Sequence, residues 1–474
     1  MDKQNFDIGM VGLGVMGRNF ALNIADNGYP VMGLDKDQDK VSALEKEAGQ
    51  KNVSGTAEPK AFISALKKPR TVMMLVPAGK AVDSVIGELV PLLDKGDLII
   101  DGGNSHFTDT GRRYKELEEQ GIHFMGVGIS GGEKGARYGP SIMPGGSKEA
   151  YSRVQPIFEA AAAKVNGEPC VTWLGPGSAG HYVKMVHNGI EYGLMQLIAE
   201  CYDLMKRGLD LSNDRLHQVF SEWNDGELES FLIEITAHIF TRQDDKSDGY
   251  LIDAILDSAG QKGTGKWASQ DAMELQVPTP GIDIAVAMRD LSAYKEERVH
   301  ARQFLEGPNA PFHGDKKQFI KQLRSGMYFS MITTYAQGLA LLHAASAAYN
   351  YDLKLEGAAK IWRGGCIIRA GLLEPIREAY SRHEHLSNIL VTPHFSKELL
   401  KRQQDLRSVV SRAAELGIPA PGLMASLAYF DGYRSERLPA NLIQAQRDYF
   451  GSHSYERIDA EGTFHTQWNK KNKE

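Results

Sequence analysis

The stretch richest in chemistry is Lys184-Met-Val-His187-Asn188-Gly189-Ile-Glu191-Tyr192-Gly193. It lies inside a pattern of helical period, and positions 184, 187, 188 and 191 fall three and four apart. An amine, an imidazole, an amide and a carboxylate therefore share one face within two turns. Set against a dinucleotide site, such a face can supply both a base and an acid. A buried lysine whose charged form is disfavoured suits general-base work near neutral pH. Gly189 and Gly193 each cost about 1 kcal/mol relative to alanine inside a helix, which points to something approaching that backbone closely. The bland alternative is a solvated amphipathic face.

A second signal is Gly12-Leu13-Gly14-Val15-Met16-Gly17, which follows a short apolar run and opens a helical pattern. Gly12 allows the tight turn, Gly14 admits a pyrophosphate to the backbone, and Gly17 lets helix and strand close together. The anion then meets the N–H groups and dipole of a helix N-terminus. Asp35 follows about 20 residues on, at the end of the next apolar run, where a carboxylate accepts from ribose hydroxyls and repels a 2′-phosphate. Lys36 and Lys40 argue the other way, as cations able to pair with that phosphate, while Asp37 adds a further negative charge. The pattern leans towards NAD over NADP without settling the choice.

Val76-Pro77-Ala78-Gly79 and Asp101-Gly-Gly-Asn104-Ser105 each fall just past a strand-like run, at the edge where open α/β sheets bind ligands. The Asn104 amide can both donate and accept. Ser130-Gly131-Gly132-Glu-Lys-Gly exposes backbone N–H groups suited to a carboxylate or phosphate oxygen, and Ser130 adds a hydroxyl. Lys262 and Thr264 in Gln-Lys-Gly-Thr-Gly-Lys-Trp are phosphate candidates, although the spacing is not that of a Walker loop. Arg289, Arg447 and His453 are further candidates, each read by composition alone as a surface residue. No metal-ligand motif occurs.

These groups need elements to hold them. Strands are predicted at Ile8–Gly12, Val31–Leu34, Thr71–Val76, Leu98–Asp101 and His123–Val127, with helices at Asn19–Asp26, Lys40–Ala48 and Ala81–Leu93 between them. Short apolar runs separated by helices indicate a parallel sheet covered on both faces, a doubly wound α/β domain. A further unit, helix Lys148–Ala163 and strand Cys170–Leu174, extends it to residue 177. From 178 to 438 the pattern is all-α, with helices at His181–Arg207, Asn213–Asn224, Glu227–Thr241, Ile282–Glu306 and Lys316–Ala348. The run Gln196…Trp223 resembles Gly338…Trp362 about 140 residues later, which suggests an internal duplication. Residues 439–474 form a tail with one short helix, Asn441–Tyr449, and a polar end, NKKNKE. Its aromatic residues are too many for a solvated tail, so they are expected to pack, on a second subunit.

Composition narrows the function classes. The chain has 474 residues, 42% apolar and 24% charged, so it can bury sizeable cores. A net charge of -6 argues against a dedicated nucleic-acid binder. Cys170, Cys201 and Cys366 are widely spaced and read as core residues, not disulfide or zinc partners. No run is apolar enough to span a membrane and the N-terminus does not read as a signal peptide, so the expected compartment is the cytoplasm.

Together the fingerprint, DGGNS, SGGEKGAR, KMVHNGIEYG, QKGTGKW, IWRGGCIIR and NLIQAQRDYFG resemble the long form of the decarboxylating 6-phosphogluconate dehydrogenase family over nearly the whole chain. The resemblance implies a Rossmann domain, a large duplicated helical domain, and a tail that threads into the partner of a homodimer. By similarity, Lys184 takes the proton of the substrate C3 hydroxyl during oxidation and returns one during decarboxylation, and Glu191 protonates C1 of the product. Ser130, Gly131 and Gly132 are implied to hold the carboxylate end, and Asn104, His187 and Asn188 the sugar acid. Tyr192, Lys262, Thr264 and Arg289 are implied to hold the phosphate, joined by Arg447 and His453 of the other subunit. The implied products are ribulose 5-phosphate and CO2, in the pentose phosphate or gluconate route. The family default is NADP, yet NADP-type members carry Asn-Arg-Thr in place of Asp35-Lys36-Asp37, lysine in place of Pro77, and commonly alanine in place of Gly14. Loss of that arginine removes a bidentate phosphate partner, so NAD preference or dual use is expected. A non-decarboxylating 3-hydroxyacid dehydrogenase and a catalytically dead dinucleotide sensor are the rivals.

Overall fold

A computed structural model describes residues 6–308 and 311–468. The NKKNKE terminus, residues 469–474, lies outside them. The chain forms two compact units, Met1–Ser426 and Leu427–Glu474.

The first unit opens with a seven-stranded sheet: β1 (Ile8–Val11), β2 (Val31–Leu34), β3 (Val53–Thr56), β4 (Thr71–Met74), β5 (Leu98–Asp101), β6 (His123–Ile129) and β7 (Ile142–Pro144). Their order is β3-β2-β1-β4-β5-β6-β7. The first six run parallel, and β7 pairs antiparallel with β6. The chain switches direction across the sheet between β1 and β4, which opens a crevice at their C-terminal ends. Strands β1, β2, β4 and β5 are fully buried, as their apolar runs require, with a hydrophobic cluster on each face.

Two strands of this sheet escape the sequence reading. β3 is Val-Ser-Gly-Thr, half-exposed at the sheet edge and without an apolar run. β7 is three residues long and ends in a proline. The strand expected at Cys170–Leu174 is corrected: Val171 makes a single isolated bridge to Ile142. Cys170 N–H instead donates to the Ala163 carbonyl and Leu174 N–H to that of Pro144, so this apolar run is buried as a packed connection.

Beyond the sheet, helix Ala179–Asp203 runs 25 residues and ends in a wide π-type turn, Leu204–Gly208. It packs against the 33-residue helix Lys316–Ala348. Helix Asn213–Asn224 has the expected bounds. Helix Lys316–Ala348 also has its expected bounds, helices Val15–Asp26, Gln38–Ala48 and Ala440–Gly451 run longer than their patterns, and others are shorter for local reasons. Ser230 accepts from the Ile233 N–H and starts its helix at Phe231, so residues 227–230 stay outside. The stretch expected as Ile282–Glu306 divides at Tyr294 into Pro280–Ala293 and Lys295–Ala301. Pro91 sits in a 3₁₀ turn, Val90–Leu92, that ends helix Lys80–Leu89.

The second unit holds helix Ala440–Gly451 and a two-stranded hairpin, Tyr455–Glu456 against Thr463–Phe464. Asp448, fully buried, ties them together. Its carboxylate accepts from Ser454 N–H, His465 Nδ1, Thr466 N–H and Trp468 Nε1. Tyr455 stacks on Phe464, while Phe450 and Ile458 stay exposed.

Candidate active site

At the C-terminal ends of β1 and β2 the fingerprint takes the shape its glycines predict. Gly12 has φ +86°, and a Cβ on Gly17 would stand 1.8 Å from the Gly12 carbonyl oxygen. Nothing lies within 4 Å of the place a Gly14 Cβ would take, so that backbone is open to a ligand. Val15 is exposed and Met16 half-buried at the start of helix Val15–Asp26. Asp35 uses both carboxylate oxygens: Oδ2 accepts from Leu13 N–H (2.8 Å) and Oδ1 from Asp37 N–H (3.0 Å). A cavity of about 190 Å³ opens beside it, lined by Gly12, Leu34, Asp35, Lys36, Val76 and Glu88 among others. Open backbone at Gly14, a helix N-terminus and this cavity fit the pyrophosphate and adenosine ends of a dinucleotide.

Both lysines that favoured a 2′-phosphate are engaged with carboxylates. Lys36 Nζ lies 3.0 Å from Glu88, and Lys40 Nζ lies 3.7 Å from Asp35 and 3.6 Å from Asp37. Pro77, Ala78 and Asn104 are exposed on the turns that follow β4 and β5.

Helix Ala179–Asp203 reaches this edge because glycines let it. A Cβ on Gly180 would meet the Gly126 and Met143 carbonyls at 2.3 Å, and one on Gly128 would meet the Lys184 Cβ at 2.5 Å. The helix therefore seats directly on β6 and β7. The structure rejects the solvated-face reading: Lys184 is 6% exposed and His187 fully buried. Asn188 Oδ1 lies 2.9 Å from His187 Nδ1, Ser130 Oγ lies 3.2 Å from Nε2, and Asn188 Nδ2 donates to Thr264 Oγ1 at 3.0 Å. Since Asn188 Oδ1 can only accept, this network assigns the ring hydrogen to Nδ1 and leaves Nε2 to accept from Ser130. Glu191 follows one turn later, its Oε2 3.8 Å from His187 Nδ1.

Burial drives the electrostatics. It lowers the Lys184 amine below its ordinary value, against the pull of Glu191 and Cys366. Burial raises the Glu191 carboxyl, opposed by Lys184 and Arg289. His187 is held well below its usual range, first by burial and then by the Lys184 charge, so it serves as a neutral imidazole. A lowered amine beside a raised carboxyl is the pairing that acid–base chemistry near neutrality needs.

Gly131 and Gly132 have φ +100° and +61°, at the start of helix Gly132–Tyr138. A Cβ on Gly131 would meet the Gly365 carbonyl oxygen at 2.5 Å. That contact reveals a wall of the site that sequence reasoning missed. Trp362 packs edge-on to the His187 ring at 5.8 Å, and buried Cys366 lies near enough to Lys184 to affect its titration. The motif around residues 361–369 signalled family only; its position beside Lys184 depends on a fold contact that local pattern does not show.

On the next turns, Arg289 stacks over the Tyr192 ring, 3.4 Å from its centroid. Tyr192 in turn packs on Gly265, where a Cβ would stand 2.3 Å from the ring. Thr264 is buried at the first turn of helix Thr264–Glu274, and Lys262 is exposed just before it. Tyr192, Thr264 and Arg289 thus cluster beside Asn188 and Glu191. Arg447 and His453 are exposed in the second unit, within helix Ala440–Gly451 and just after it.

The fold and this edge define a class: a dinucleotide-binding oxidoreductase with a large helical region appended to its parallel sheet. Comparison with known proteins is more specific. A family model for the NAD binding domain of 6-phosphogluconate dehydrogenase matches residues 7–175, and one for its C-terminal domain matches 180–468. The chain is 54% identical to the NADP(+)-dependent, decarboxylating 6-phosphogluconate dehydrogenase of Bacillus subtilis, covering 99% of this chain and 100% of that one. It is 52% identical to the decarboxylating enzyme of Shigella flexneri, covering 99% and 100%. Among solved structures, Plasmodium falciparum 6-phosphogluconate dehydrogenase, described apo, with its cofactor NADP+ and with its substrate 6-phosphogluconate, superposes with a TM-score of 0.95. It is 45% identical, covering 98% of this chain and 100% of that one. The chain belongs to the 6-phosphogluconate dehydrogenase family.

Proposed function

We propose that the chain oxidatively decarboxylates 6-phospho-D-gluconate to D-ribulose 5-phosphate and CO2 while reducing NAD(P), in the pentose phosphate or gluconate route. The observation that carries this reading is the buried Lys184 with Glu191 two turns on, each pushed towards its neutral form. When bound, the nicotinamide ring supplies acceptance of a hydride from substrate C3. Neutral Lys184 takes the C3 hydroxyl proton, leaving a ketone β to the carboxylate. Loss of CO2 then sends the bond's electrons to that carbonyl oxygen, to which the Lys184 ammonium returns its proton, giving an enediol. Glu191 delivers a proton to C1 of the product, the former C2 of the substrate, while the adjacent enediol hydroxyl gives its proton back to Lys184 and becomes the ketone. Ser130, Gly131 and Gly132 receive the carboxylate end, Asn104, His187 and Asn188 the hydroxyls, and Tyr192, Lys262, Thr264 and Arg289 the phosphate. Lys184→Met should lower kcat by about 10³-fold, within the range for lost general-base catalysis, with the substrate still bound; retention of most of the turnover would contradict the assignment.

Gly12–Gly17, Asp35 and Val76–Ala78 hold the coenzyme in this reading, which favours NAD or dual use. Asp35 and Glu88 bring negative charge to the adenosine cavity, and Lys36 and Lys40 already have carboxylate partners. Comparison of kcat/KM for the two coenzymes tests it, and a strong NADP preference would refute it. We further propose division into a coenzyme domain (1–177), a helical substrate and dimerisation domain (178–438) and a tail (439–474). In a homodimer the tail lends Arg447 and His453 to the partner's phosphate site. Among the described residues no helix is long and apolar enough to cross a membrane. The cytoplasm is the compartment this reading assigns.

A further inference from the structure

Arg113 sits on helix Phe107–Glu119 and is among the largest fully buried side chains, 1% exposed. A guanidinium keeps its charge in the interior, so its surroundings must satisfy it. They do so with groups from two separate turns and from helix Lys80–Leu89, which follows the first. Nε donates to Asp83 Oδ1 at 2.8 Å, and Nη2 donates to Asp83 Oδ2 and to the Gly79 carbonyl, both at 3.1 Å. On the other side, Nη1 reaches Ser105 Oγ at 3.5 Å and lies 3.7 Å from Asp101 Oδ2. Asp101, fully buried, accepts from Gly103 N–H (3.0 Å) and Ser105 Oγ (2.6 Å), which fixes the turn after β5. Gly79 closes the turn after β4. The two turns touch: a Cβ on Gly103 would stand 3.1 Å from the Val76 carbonyl oxygen.

We infer that Arg113 is a positioning residue for the coenzyme, clamping the Val76–Gly79 turn and the Asp101–Ser105 turn into one rigid lip at the C-terminal edge of β4 and β5. The inference rests on the reading that this edge holds the coenzyme. The planar fork matters because its donors point in fixed directions, which a lysine ammonium cannot reproduce. Asp83 completes the clamp; hydrogen bonding to Arg113, opposed by burial and joined by Arg112, holds its carboxyl at about 2. A lip displaced by about 1 Å misplaces whatever binds there, and such shifts cost up to about 10² in rate.

The test uses the full-length protein and the variants R113M, R113K and D83N. Dissociation constants for NADH and NADPH are read by fluorescence, and that for 6-phosphogluconate by calorimetry without coenzyme. R113M should weaken the coenzyme tenfold or more and the substrate by no more than about threefold, since Asn104 alone of the proposed substrate contacts stands on the clamped lip, and R113K should recover only part of the coenzyme loss. If R113M does not fold, D83N carries the same expectation at about threefold. Equal weakening of substrate and coenzyme would mark a merely structural residue and overturn the inference, as would unchanged coenzyme binding. Ala78→Asp probes the edge itself without touching the clamp. Unchanged coenzyme binding in A78D would remove the coenzyme assignment of the edge, and the inference with it. A weakened A78D beside an unaffected R113M would overturn the role of Arg113 alone.

Discussion

Lys184 and Glu191 are two helical turns apart, and burial moves both towards neutrality. A free carboxyl titrates near about 4.3 and a free lysine near about 10.4. With Glu191 raised and Lys184 lowered, both limbs of a bell-shaped kcat/KM profile should move inward from those values. The limbs belong to the coupled pair, not to either residue. Glu191→Gln should erase one limb. It should also carry the Lys184 limb lower, because the carboxylate charge that favours the ammonium is gone; a two-limbed profile unchanged in E191Q would contradict the pairing. At this scale much was legible, since spacing alone put the amine and carboxylate on one face. Burial was not, because it depends on Gly128 and Gly180 admitting the helix to the sheet, a long-range contact with no local signature.

The same helix shows what its costly glycines accomplish. A Cβ on Gly189 would stand 2.9 Å from Ala268 Cβ, and one on Gly193 would stand 2.7 Å from Thr334 Cγ2. Three helices close on it at those points, which keeps Thr264 against Asn188. Gly193→Ala gains about 1 kcal/mol of helix propensity but loses about 1–3 kcal/mol to overpacking. A net loss of up to about 2 kcal/mol is therefore expected, visible as a lower melting temperature, whereas a stabilised variant would show that the neighbours can give way. The sequence correctly suggested a close approach but not the identity of what approaches. Elements were readable where a buried apolar run carried them, as in β1, β2 and β5. They were missed where an edge position relaxed the pattern, as in β3, or where the buried run was only three residues long, as in β7. Their ends were misjudged where one residue, Ser230 or Pro91, overrode periodicity.

At the scale of the whole molecule, the tail unit is organised by one buried carboxylate, Asp448, yet Phe450, Ile458 and Leu442 remain exposed. An ordered fold with apolar side chains outward suits a segment that works against another surface. Deleting residues 440–474 should abolish turnover. Mixing that truncated chain with full-length K184M distinguishes exchange between subunits from action within one chain. If the tail serves the partner, a heterodimer pairs an intact Lys184 with a donated tail, and activity returns. An active truncated chain, or a mixture of confirmed heterodimers that stays inactive, would refute tail exchange. A change of composition marks the tail in the sequence, whereas its internal knot has no local signal, since Asp448 gathers partners up to 20 residues away.

Reaction stoichiometry reaches the central claim most directly. The full-length protein, given 6-phosphogluconate and NAD or NADP, should release one CO2 for each coenzyme reduced, and K184M should release almost none. Coenzyme reduction without CO2, or no reduction with either coenzyme, would contradict the account.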